Sequence, residues 1–237
     1  MDTLYTPFMR DLEARFKKTT ALPNRSAYKI FYCQVRPARI LTLGINPGGE
    51  PANTKPDGRT HMNGVVAAAS AAFYEYDEHD ILDCEWRENF ALRKVLLPLV
   101  GGELGRIRTE VVKTNLAFHR SARASDINIE TAANQATPFL TELIEVVKPR
   151  LVLLTGVSLD KFTARFARDV MVLEAPQRDP GVGHVVFAAS LVTLRCSAIQ
   201  VLAVQLAHAS QFGWTYGKYN VAQRILDLLQ KTVYPAE

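Results

Sequence analysis

Four short apolar runs, continuous rather than alternating, constrain this chain more than any other feature: Ile40–Leu43 (RILTLG), Val111–Thr114 (EVVKTN), Leu151–Thr155 (PRLVLLTG) and Val201–Leu206 (QVLAVQLAH). A strand that is apolar on both sides has to be covered on both sides, as in a parallel sheet sheathed by helices. Helical patterns lie between and around these runs. Glu88–Val100 carries apolar residues at helical spacing, and Thr131–Val147 has Thr131 near its start and Pro149 just past its end. Leu159–Arg168 has Ser158 as a fitting N-cap, and Thr6–Lys17 and Tyr219–Leu229 read as helices near the two ends. A hairpin is expected over Val185–Leu194. The alternation predicts an α/β fold in three layers: a central, mainly parallel four-stranded sheet flanked by helices. At 237 residues, without a Pro/Gly/Ser-rich linker, the chain is expected to form one domain over residues 1–237.

Composition sets the outer bounds. With 48% hydrophobic and 22% charged residues, the chain has enough apolar surface for a core and is not of disordered composition. No run approaches the roughly 18 apolar residues of a membrane helix, and the acid-bearing start MDTLYTPFMRDLEARF lacks the apolar stretch of a secretory leader. Cys33, Cys84 and Cys196 are odd in number and far apart, so neither a disulfide framework nor a metal pair can be written from them. The expected setting is intracellular: cytoplasmic, or nuclear in a eukaryote. A net charge of +4 is compatible with a polyanionic partner, although scattered surface charge explains it equally well.

In parallel sheets ligands bind beyond the carboxyl ends of the strands. Asn46, Asn115, Gly156 with Ser158, and His208 follow the four runs in order. Two amides, a hydroxyl and an imidazole are therefore expected on one rim. The first exit, Gly44-Ile45-Asn46-Pro47-Gly48, is stiff: Gly44 and Gly48 permit close approach of the backbone, and Pro47 biases Asn46 away from helix. A carboxamide held in this way can position a water, or simply cap a turn. The segment is not a phosphate loop, because it has neither Gly-Lys-Ser/Thr nor Gly-x-Gly-x-x-Gly.

GINPG resembles the first motif of the uracil-DNA glycosylase superfamily, in the form found in its mismatch-specific and single-strand-selective monofunctional branches. KTNLAFHRSAR and QLAHASQFGW are similar to two further segments of that superfamily, in the same order and each after an expected strand. The resemblance runs over roughly residues 39–213. It implies that Asn46 positions the attacking water within a pocket formed by Gly44, Ile45, Pro47 and Gly48. It implies further that Asn115 reads the edge of an extruded base, His208 donates to the departing base, Ser210 holds a DNA phosphate, and Phe212 is the wedge left in the helix. The stacking shelf falls on His61 or Met62, with Phe73 and Tyr74 further on. Ala209 and Gln211 stand where the superfamily's second motif has prolines.

The implied partner is DNA containing a damaged base, in single- or double-stranded form, contacted through Lys55, Arg59, Arg120, Arg123 and Lys218 by a chain expected to be a monomer. The implied chemistry requires no metal and no organic cofactor, and the cluster-binding branches of the superfamily use four cysteines where this chain has three. Two alternatives stay open. One is a catalytically silent or altered-specificity nucleic-acid-binding member of the same superfamily. The other is an unrelated small-molecule α/β enzyme, although there is no Gly-x-Ser-x-Gly elbow to support it.

Overall fold

A computed structural model describes residues 6–21, 27–46, 82, 87–121 and 124–232. Its helices are α1 (Pro7–Thr20), α2 (Arg87–Leu99), α3 (Leu104–Glu110), α4 (Ile129–Val147), α5 (Leu159–Phe166), α6 (Ala209–Phe212), α7 (Thr215–Lys218) and α8 (Val221–Thr232). The strands are β1 (Ile40–Gly44), β2 (Val111–Asn115), β3 (Leu151–Thr155), β4 (Ala167–Arg178), β5 (Val185–Leu194) and β6 (Gln200–Leu206).

The six strands form one mixed sheet in the order β2-β1-β3-β6-β5-β4. The four expected strands make its parallel part, and β5 and β4 continue it antiparallel. The count of four therefore falls short by two. Val185–Leu194 is a single strand rather than a hairpin, and its partner across the turn is β4. The helix expected to reach Arg168 ends at Phe166, and β4 begins at the next residue. β4 carries a continuous apolar run, Val170–Leu173, that the reading of four strands passes over, and Val170, Met171 and Val172 are all exposed. Over that run it is an edge strand bare on both faces, and its register shifts and Pro176 are features that sheet edges tolerate.

Helices cover both faces. On one side Leu41, Leu43, Val112, Val152, Leu154 and Ala203 pack with residues of α1, α4 and α5. On the other side Ile40, Val111, Leu151, Leu153, Leu202 and Val204 pack with residues of α2 and α8. The caps follow from local chemistry. Thr6 Oγ1 accepts from Met9 N–H, Asn128 Oδ1 from Thr131 N–H, and Ser158 Oγ from Lys161 N–H. The α4 cap is thus Asn128, three residues before the expected start at Thr131.

Phe16 of α1 joins two stretches that lead to the strand exits. Its ring lies 5.6 Å from Tyr28, 5.1 Å from Phe118 and 5.4 Å from Phe139, each edge-to-face. Residues 27–30 run beside 118–120, with Lys29 N–H donating to Phe118 O and Arg120 N–H to Ala27 O. Phe16→Ala is expected to destabilise the protein by about 3–5 kcal/mol, measured as the shift in free energy of urea unfolding.

Candidate functional site

The chain leaves β1 to form β2 on one side of it and later places β3 on the other. The switch point, where α/β sheets bind ligands, is therefore at the carboxyl ends of β1 and β3. Two glycines stand there, and each is pressed by a side chain from another strand exit.

Gly44 is in register with Asn115 across the β1–β2 pair. A Cβ on Gly44 would lie 2.3 Å from Asn115 Oδ1, so the carboxamide occupies the space that the missing side chain leaves. The same amide donates from Nδ2 to Tyr32 Oη at 2.5 Å. Bonded through its nitrogen, packed against Gly44 and only 4% exposed, Asn115 has a set orientation. The pairing of the two chains continues past the strands, where Leu116 N–H donates to Gly44 O and Ala117 N–H to Ile45 O.

Gly156, directly after β3, has φ +75°, and a Cβ there would lie 2.8 Å from His208 Cδ2 and 3.1 Å from Ile45 Cδ1. Only glycine adopts that backbone freely while leaving room for the imidazole. His208 is the N-cap residue of α6, and its Nδ1 is 2.8 Å from Ser210 Oγ. The serine hydroxyl can either donate to Nδ1 or accept from it, and in the tautomer where it donates, Nε2 carries the ring N–H. Asn46 is half-buried and donates from Nδ2 to Ser121 Oγ at 2.8 Å. A carboxamide fixed through its nitrogen has its oxygen, an acceptor, set in direction as well.

The segment after His208 is held by contacts from elsewhere in the fold. Tyr216 Oη, fully buried, donates to Ala207 O at 2.6 Å, and burial pushes this phenol well above its ordinary range. A Cβ on Gly213 would meet Ala91 of α2 at 2.4 Å, so α2 lies directly against the turn. In the β4–β5 turn, Asp179 accepts from Lys218 Nζ at 2.5 Å, from Tyr219 Oη at 2.6 Å and from Gly181 N–H at 2.7 Å. The turn also brings His184 to 5.3 Å from the ring of Phe212.

Set against the sequence expectations, Gly44, Ile45, Asn46, Asn115, Gly156 and His208 lie at one rim. Ser210 is beside His208 and bonded to it. Phe212 is half-buried against His184, and Trp214 is the more exposed aromatic of that stretch at 57%. Lys218 is engaged with Asp179, and Arg120 is buried rather than offered on the surface. Pro47, Gly48, Lys55, Arg59, His61, Met62, Phe73, Tyr74 and Arg123 lie outside the described residues. Sequence reasoning missed Tyr32 and Ser121, the two hydroxyls that hold the amides. Neither follows one of the four apolar runs, and only the folded pairing of 27–30 with 118–120 reveals Tyr32.

A hollow of about 390 Å³ lined by Arg39, Glu110, Lys148 and Arg150 opens at the amino ends of β1 and β3, away from this rim. Among the described residues no group of three His, Cys, Asp or Glu side chains is placed to hold a metal ion, and no helix is long and apolar enough to cross a membrane. The chain matches no family model, and a search among curated proteins returns no match.

Two outcomes follow from this geometry. Gly44→Ala is expected to evict the Asn115 amide, with a loss of roughly 1–3 kcal/mol of stability and a shifted Asn115 side-chain amide signal in NMR spectra. The partners of Asp179, Lys218 first, hold its carboxyl at about 2, below the ordinary value of 3.8. The ionised form is therefore favoured in the folded state. Its contribution is fully present above the ordinary value and is lost as pH falls through about 2. Fluorescence of Trp214, next to Lys218, is expected to report release of this turn toward pH 2, and Asp179→Asn to remove that transition.

Proposed function

We propose that the protein is a monofunctional DNA glycosylase that hydrolyses the N-glycosidic bond of uracil or a related deaminated base. The observation that carries this reading is the convergence of Asn46, Asn115 and His208 at the switch point, each amide anchored by a hydroxyl and the imidazole seated on Gly156. These are the positions to which the superfamily resemblance assigns the water, the base edge and the leaving group.

In this mechanism a nucleotide leaves the stack and its base enters beside Asn115, whose carboxamide pairs with the adjacent carbonyl and N–H of a uracil edge. The bond between sugar C1′ and base N1 breaks, and its electron pair stays on the base. The base becomes an anion and the sugar an oxocarbenium ion. His208 donates a hydrogen bond from Nε2 to the base oxygen that gains charge, which requires the tautomer in which Ser210 donates to Nδ1. Water held by Asn46 adds to C1′, and the proton it releases balances the anion of the departing base. Asn46 is too weakly basic to take that proton and acts by placing the water. In this reading Ser210 works through His208, which differs from the phosphate contact implied by the resemblance. Trp214 joins Phe212 as a candidate for the contact with the vacated stack.

The test uses single- and double-stranded oligonucleotides carrying one uracil, hypoxanthine, xanthine or mismatched thymine, with alkaline cleavage of abasic sites. Strand scission is expected with the wild-type protein. His208→Ala is expected to slow it about 10²–10³-fold, and Asn46→Ala about 10²-fold or more. Absence of scission on all four bases at enzyme excess would reject the reading. Salt-sensitive DNA binding in that case would leave a silent binding protein, and absence of binding would leave small-molecule chemistry.

A further inference from the structure

Lys113 lies in the core beside this site and has no part in the steps above. It precedes Asn115 by two residues on β2, and strand alternation puts both side chains on the same face of the sheet. Its side chain is only 4% exposed, and its ammonium donates to Asn89 Oδ1 of α2 at 2.8 Å and stands 3.7 Å from Glu88 Oε1. On another side it is 4.9 Å from the ring centroid of Tyr32, the residue whose hydroxyl receives the Asn115 amide. Lys29 brings a second ammonium to 3.9 Å from the same ring. Arg120 is buried and interacts electrostatically with Tyr32. The carboxylate of Glu88 thus meets Lys113 from α2, while cations gather around the phenol that carries Asn115.

Fold stability alone is a poor reason for this arrangement, since well-packed apolar residues commonly serve a core as well as a buried ion pair does. We propose that Lys113 is an electrostatic positioning residue which, acting through Tyr32 and Asn115, makes the base end of the site favour an anionic ring over a neutral one. The inference rests on the glycosylase reading, in which the departing base becomes an anion next to Asn115. Two residues along a strand span about 7 Å. A unit charge at that separation, at the effective dielectric of protein sites, changes the stability of an anion by a factor on the order of 10–100. Tyr32 matters because it fixes the amide at the end of the pocket nearest the cations.

The experiment compares binding of two free bases to the full chain by titration calorimetry at one pH: uracil, which is neutral there, and 5-nitrouracil, whose ring ionises far more readily. Excision of uracil and of 5-fluorouracil, a better leaving group, from single-stranded DNA is measured in parallel. Wild type is expected to bind 5-nitrouracil at least tenfold tighter than uracil. Lys113→Gln is expected to lose most of that preference while still binding uracil, and Lys113→Arg to keep it. In excision, Lys113→Gln is expected to slow uracil release ~10–100-fold and 5-fluorouracil release much less.

Preference and excision ratio both unchanged in folded Lys113→Gln would overturn the role of Lys113 and leave the glycosylase reading standing. A wild type that binds neither base and releases neither would overturn that reading and this proposal with it. If Lys113→Gln does not fold, Tyr32→Phe serves instead. Loss of the preference supports the proposal, and its persistence overturns it.

Discussion

Parallel pairing of β1 with β2 on one side and β3 on the other is the constraint from which the site follows. It sets Gly44 level with Asn115 and brings the end of β3 close enough to β6 for Gly156 N–H to donate to Leu206 O. Both glycines are then required by their neighbours rather than by the turns they begin. The first leaves room for a carboxamide and the second for an imidazole. Polar side chains that would otherwise be free to rotate are packed against the sheet, and such support is what precise positioning of reacting groups demands.

A second layer of order comes from hydroxyls. Tyr32 and Ser121 each take one amide N–H, and Ser210 faces the imidazole. Both amides are held by partners on a different segment, and the imidazole by a serine two residues further along its own. The buried side of the rim is cationic, through Lys113 and Arg120, while the exposed basic residues are distributed over the surface. Positive charge near the switch point is therefore an internal property of the site, distinct from the general affinity of a basic surface for polyanions.

The parallel half of the fold was legible because burial on both faces writes an unbroken apolar run, as in Leu151–Thr155. The antiparallel half was not. In β4 the apolar triplet Val170–Met171–Val172 is exposed, so a continuous apolar run does not stand for burial there, and β5 is so thoroughly buried that its run says nothing about its partners. At the site, Asn46, Asn115 and His208 could be singled out because each follows a strand directly. Tyr32 could not, because it joins Asn115 only after 27–30 has paired with 118–120. Lys113 was written inside an apolar strand, where a lysine reads as an interruption, and its meaning depends on Asn89 arriving from α2.

The stretch around His208 has Ala209 and Gln211 where prolines would stiffen a chain from within. Proline limits a backbone in the unfolded as well as the folded state. Here the restraint comes from Tyr216 on Ala207, Ala91 against Gly213, and Asp179 gripping Lys218 and Tyr219. Each of these exists only once distant parts of the domain have assembled. The imidazole is consequently in place only while α2 and the β4–β5 turn are docked, so its local order and the cooperative stability of the whole domain rise and fall together.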